Sequence, residues 1–523
     1  MMRTALKAKR GQRSTVSKVE SYPPPIGGWN ARDAVASMSP VDAVELVNWY
    51  PRPSYVELRG GHTTHATGTT GNIKTLATYN SMTGANQLWG FTASGIYNVS
   101  SAGAVGASGL ARTNGKHQWE MFGDGTNNWL IGLNGVDKPA YYNGSAWTAV
   151  THLTSPALTG YPSNAVENLV GITVFKRRIF FIENNTLSFW YLPAGAAGGA
   201  LTEFDLSPEA PRGGYLMACG VWTRDAGSGP DDFFVAVTSE GEALVYQGTN
   251  PSLSTNWAKV GSFVIGKPLG RRCIQRYGGD CIILTEQGAF PLSALLASGD
   301  ERAKFALSYK IQDVFTETAR TYGTLFGWKS LTLPSRDALI VNVPYAEDGR
   351  HEQFVMNTIT KSWCKFTEWD AEDFGILNKE LYFCRGTSTY KAWTTEADNG
   401  SNITYYAKQA FQDFGDGGIK HPKLFMPILK MNGAVTYQAD IDVDFEEKAM
   451  VGEVTYTPGG ASTWDSSLWD AGMWTSDSVL VRQWSAPACY EGRWLSGKVR
   501  IVSNGLRGQW AGSSMIYEPG EGL

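Results

Sequence analysis

Residues able to do chemistry are sparse in this chain and seldom close together. Of six histidines (His62, His65, His117, His152, His351 and His421), only two are near neighbours, in His62-Thr-Thr-His65. A zinc site of the His-Glu-x-x-His kind needs a glutamate beside the first ring, and this pair sits in a Thr/Gly-rich turn without one. The six cysteines (Cys219, Cys273, Cys281, Cys364, Cys384 and Cys489) contain no Cys-x-x-Cys pair. A zinc cluster therefore has no support, and the cysteines read as buried free thiols of a protein matured in a reducing compartment. Neither a Walker A loop nor a Gly-x-Ser-x-Gly elbow is present.

Two further clusters carry a physical pattern. Ala439–Glu446, ADIDVDFE, alternates acidic and apolar residues. On a strand this spacing puts Asp440, Asp442, Asp444 and Glu446 on one face and Ile441, Val443 and Phe445 on the other. The acidic face reads either as the solvated side of an amphipathic strand or as a channel lining whose charge repels the phosphates of passing DNA. Calcium is disfavoured, because side chains in line along one strand do not wrap a cation. Trp464, Trp469, Trp474, Trp484 and Trp494 crowd one segment. They read as core or subunit interface, with stacking on sugars of a host surface as the alternative.

The elements that must position these residues are β-hairpins. Between Phe175 and Leu292 three apolar runs are each broken by a polar turn pair (Asn184-Asn185, Glu240-Gly241, Gln287-Gly288) and then resumed. From Asn72 to Trp393 seven hairpins can be read, with arms in Leu88–Val99, Trp129–Tyr142, Phe180–Trp190, Phe233–Tyr246, Cys281–Leu292, Ala338–Met356 and Leu381–Trp393. Units tens of residues apart cannot bury their faces alone, so they must stack around a ring or in a line. A β-propeller is the first expectation and a row of β-sandwiches the second. Arg224-Asp225-Ala226-Gly227-Ser228-Gly229-Pro230-Asp231-Asp232 has the composition of an Asp-box or calcium loop, but it lacks the closing Trp and does not repeat, so it reads as an Asp/Gly turn. The Gly/Ala/Pro-rich loop after Leu192 suits a surface reaching a neighbour, and Ser308–Arg320 reads as a helix.

With 523 residues, 59 glycines, 19 tryptophans, 18% charged residues and a net charge of −4, the chain has material for large all-β cores and no global pull toward nucleic acid. No window approaches a membrane span. Met1 to Ser21 is a basic arm carrying Arg3, Lys7, Lys9, Arg10, Arg13 and Lys18 against a single Glu20. It reads as a solvated tail or as an arm docked on a neighbouring subunit, with nucleic-acid contact a weaker option. Residues 22–61 read as an extended lead-in with a helical turn through Asp42–Val47 and a short strand at Tyr55–Arg59. Three parts are expected: the arm and lead-in (1–61), a β-propeller-like domain (62–414) and a C-terminal β domain (415–523).

The lead-in also carries a resemblance. Pro25, Gly27, Gly28, Asn30, Arg32, Asp33, Met38, Asp42, Ala43, Asn48, Trp49, Pro51, Val56, Glu57, Arg59, Gly60 and Gly61 resemble the opening of tail proteins of short-tailed bacteriophages, the nozzle or tail-tubular-protein-B family. Later phrases extend it over roughly residues 22–430: Trp190-Tyr191-Leu192-Pro193, Thr238-Ser239-x-Gly241-Glu242, Val245-Tyr246-x-Gly248-Thr249, Gly266-x-Pro268-Leu269-Gly270-Arg271-Arg272-Cys273, Val341-Asn342-Val343-Pro344 and Val355-Met356-Asn357. The resemblance implies a structural virion protein without enzymatic activity or cofactor. It would form a six-fold ring at the distal tail tube, below an adaptor protein and near tail fibres, that retains the genome and then conducts double-stranded DNA. The alternatives are a propeller that binds or cleaves host glycans, which would need paired carboxylates across a cleft, and a plug stabilising packaged DNA at the head–tail junction.

Overall fold

The seven hairpins are the inner framework of a closed ring of sheets. The protein is seen in a computed structural model that describes residues 16–150, 157–162, 165–225, 230–297, 302–415, 417–457, 478–488 and 490–520. Each hairpin supplies the second and third strands of one antiparallel sheet, or blade, and a strand that precedes it supplies the first. The first strands are Thr75–Tyr79, Gln118–Gly123, Leu169–Phe175, Leu216–Asp225, Ile274–Tyr277, Lys329–Leu333 and Asp373–Leu377, for blades 1 to 7. The protein is all-β and propeller-like.

The second strands are apolar throughout because both of their faces are covered. In Arg178–Glu183 of blade 3, Ile179 and Phe181 turn toward blade 2, while Phe180 and Ile182 turn toward blade 4. In Asp280–Thr285 of blade 5, Cys281 and Ile283 meet blade 4, and Ile282 and Leu284 meet blade 6. Such a core fills every gap between consecutive blades, the gap between 7 and 1 included, where Leu76 and Leu88 pack with Leu377, Tyr382 and Cys384. The ring is closed by exchange of chain ends. Gly61–Thr67 pairs antiparallel with Ser388–Thr395 and completes blade 7 from the N-terminal side.

What precedes and follows the propeller forms a second unit. Asp42–Val47, Ile403–Gln409, Leu495–Ser503 and Val435–Val443 extend the sheet of blade 6 beyond Trp363–Phe366. A second sheet is built from Lys420–Met431, Gly508–Pro519, Val56–Leu58 and Trp49–Pro51, with Lys18–Tyr22 also paired to Gly508–Pro519. Trp49, Tyr405, Phe425, Tyr437, Val499 and Trp510 lie in the core between the sheets, continuous with blades 5 to 7 and with the helix Gln312–Tyr322, which buries Phe315 and Ala319.

Two expectations change. Asp42–Val47 is a strand, not a helical turn: it pairs antiparallel with Tyr406–Gln409, which a helix could not do. The lines at 61 and 415 do not separate independent cores, because residues from both chain ends share the same two sheets. The propeller is an insertion between the N-terminal and C-terminal strands of this sandwich. In the loop after Leu192, Gly199–Ala200 pairs with Leu158–Thr159 and Ala197 and Leu201 are buried against blades 2 and 3, while Pro193 and Ala194 are exposed.

Candidate functional site

The expected site residues fall in several places. Arg3, Lys7, Lys9, Arg10 and Arg13 lie outside the described residues, as do Trp464, Trp469, Trp474, Cys489 and the middle of the Arg224–Asp232 turn. Lys18 opens a strand paired to the chain's own Tyr517. The acidic strand is corrected at two of its four residues. Asp440 and Asp442 are buried, not lumen-facing, because their strand lies inside the extended sheet with both faces covered. Asp442 accepts from Lys498 Nζ at 2.5 Å and Lys408 Nζ at 2.7 Å, and Asp440 accepts from the backbone amides of Ile441, Val451 and Ala488. Asp444 and Glu446 are exposed beyond the strand end, where Asp444 caps the amides of Arg493 and Trp494. The alternation that suggested an acidic wall marks instead a buried charge cluster, and its lysines, distant in sequence, gave no local signal.

His62 and His65 do not converge on a common ligand. His62 Nδ1 lies 2.9 Å from Asp398 Oδ1 between the rings of Phe383 and Tyr390, while His65 reaches the Ser100 carbonyl. Among the described residues no group of three or more His, Cys, Asp and Glu could hold a metal ion. Cys219, Cys273, Cys281, Cys364 and Cys384 are free and buried, and burial pushes the Cys273 thiol up to about 12.

The first convergent site is the joint between propeller and sandwich. Arg59, 1% exposed, grips Asp398 with both terminal nitrogens (2.9 and 2.5 Å) and gives Nε to Asn48 Oδ1 at 2.8 Å. Burial alone would raise the Asp398 carboxyl, but hydrogen bonds from Arg59 and His62 hold it below the usual range. Asn48 Nδ2 also reaches Thr404 of the sandwich and Thr367 of the propeller. Nearby, Asn30 donates to Asp33 and Asp42, Lys310 Nζ sits 2.6 Å from Asp42, and Asn357 of blade 6 donates to the Pro51 carbonyl at 3.0 Å. Gly28 is at φ +81°, with the Trp363 carbonyl oxygen 2.6 Å from where a Cβ would stand. Only glycine fits both demands.

The second site is the axial bore. A cavity of about 330 Å³ is lined by the first strands of blades 2 to 6 and by Arg271 and Arg272. Gln118, Arg271 and Arg272 are shared with a wider mouth of about 720 Å³, and Trp119, Gln275 and Lys329 with an opposite opening of about 680 Å³. The three cavities thus adjoin one another along shared side chains. Asp373, buried at its wall, pairs with Arg272 (3.0 Å) and Lys329 (2.7 Å); burial would raise its carboxyl, and these two cations hold it low. Glu120 keeps partial access to the bore, yet enclosure pushes its carboxyl up to about 7 against the opposing pull of Arg276. Burial and the neighbouring Arg112 take His117 down to about 3, so its ring is neutral. Sequence reasoning missed this site, because its residues come from separate blades and no local spacing links them.

No family model matches the chain, and no curated protein matches it. Solved structures do. Raptor of Chaetomium thermophilum is 12% identical with a TM-score of 0.37 over 64% of this chain, which spans 29% of that protein. The β-propeller domain of Cps50 (Swd1) from Myceliophteria thermophila is 10% identical, TM-score 0.39, over 63% of this chain and 99% of that one. The WD40 domain of Neurospora crassa Pan2 is 8% identical, TM-score 0.34, over 63% and 95%. Identities and TM-scores this low carry nothing of those proteins' roles over to this chain.

Proposed function

We propose that this chain is a structural subunit of the short, non-contractile tail of a bacteriophage, in the distal tube or nozzle. Copies form a six-fold ring below an adaptor, near the tail fibres, that holds the genome in and then conducts it. The observation that carries the reading lies at the joint. Residues that carry the sequence resemblance bond to one another there: Asn30 to Asp33 and Asp42, Arg59 to Asn48, and Asn357 to the Pro51 carbonyl. The resembling phrase is thus a physical module that fixes a propeller rigidly inside a sandwich. A part of this kind suits a stiff tube wall, since inter-unit motion is the default only where an interface is small and polar. The basic arm, with Arg3, Lys7, Lys9, Arg10 and Arg13, would staple one subunit to the next.

Mixing the purified chain with its adaptor ring and imaging the product tests the reading. Six copies around one axis are expected. A chain that stays monomeric and never joins the adaptor would sink it.

A further inference from the structure

The bore carries a charge arrangement that the structural role does not use. Four cations line it, Arg271, Arg272, Arg276 and Lys329, and two carboxylates stand against them, Asp373 and Glu120. Asp373 is occupied by Arg272 and Lys329, and Glu120 is opposed by Arg276. Arg271 differs. Its nitrogens meet neutral acceptors, the carbonyls of Leu216 and Met217 at 3.2 and 3.4 Å and Asn184 Oδ1 at 2.8 Å, and its guanidinium lies 5.4 Å from the Tyr215 ring centre. No carboxylate among the described residues forms an ion pair with it. A part-buried cation without a counter-ion is costly, and Arg271 stands where mouth and bore meet, with Gln118 and Arg272 lining both compartments.

We propose that this junction is a binding site for a small oxyanion, of the phosphate class, held by the Arg271 guanidinium with Arg272 and the Gln118 amide beside it. The planar guanidinium matches two oxygens of such an anion at once. The Gln118 amide supplies a donor without adding charge. The wider cavity that shares Arg271, Arg272 and Gln118 with the bore gives the anion access. The site is independent of the tail assignment, so the two stand or fall separately.

Isothermal titration calorimetry of the full chain, in chloride buffer at low salt, tests it with pyrophosphate, inorganic phosphate and citrate as probes. One saturable site for pyrophosphate is expected. Gln118→Glu, which puts a like charge at the junction and removes no contact that holds the fold, should weaken binding by about tenfold or more, and Arg271→Gln should do the same. Thermal unfolding of Gln118→Glu checks that the propeller is intact. Citrate binding as tightly as pyrophosphate, and lost in the same variants, would support the shared oxyanion chemistry with a carboxylate as its source. No saturation at millimolar pyrophosphate, or binding unchanged in both variants, would overturn the proposal.

Discussion

Asp442 shows how much a single residue's neighbours decide. Its carboxylate is shared by Lys408 and Lys498 in a site closed to solvent. Removing one partner of such a group leaves uncompensated buried charge, a loss of about 3–5 kcal/mol. Asp442→Asn should therefore lower the urea unfolding midpoint sharply, whereas an aspartate on a solvated channel wall would tolerate the change. Glu120 makes a different prediction. Its carboxyl is raised to about 7 in the folded protein, against about 4.3 in an unfolded chain, so the folded state binds the extra proton. That contribution to stability is complete below the unfolded value and is lost as pH rises through about 7. Glu120→Gln should raise the melting temperature relative to the natural protein most at pH 8, less at pH 5, and not at all once the pH falls below about 4. His117, lowered to about 3, has the opposite sign: its contribution is present above about 6.5 and fades as pH falls.

The seven hairpins were legible as elements because their strands are apolar on both faces and broken by turns that announce themselves: Asn185, Gly241 and Gly288 all adopt positive φ. The first strand of each blade was not legible. Gln118–Gly123 and Ile274–Tyr277 edge the bore, where polar and charged residues are tolerated, so they lack the apolar signature of a buried strand. Asp42–Val47 was misread because its longest pairing is with Ile403–Gln409, hundreds of residues away, and local spacing cannot report it. At the joint, Gly28→Ala should be felt at once. The new methyl would meet the Trp363 carbonyl oxygen at a backbone angle that L-residues rarely adopt. A loss of about 1–3 kcal/mol is expected, read as a lower denaturant midpoint, while Gly386→Ala, at φ +58° with open space around it, carries only the conformational cost.

For the whole molecule, the ring of blades follows from repetition, but its insertion into a sandwich does not. The sandwich is assembled from chain ends that no local pattern links, which is why the acidic strand looked like a wall rather than a buried strand near the edge of a ten-stranded sheet. The closed propeller, the continuous core and the bonded joint make the subunit one stiff body. Under the proposed function, a tail tube that must withstand and release packaged DNA calls for such a body at the tail's far end. The most direct test is electron microscopy of the intact particle with a gold label on the C-terminus of this chain. The account predicts six labels around one axis at the distal tip of a short tail. Labels on lateral appendages or at the head–tail junction would contradict it.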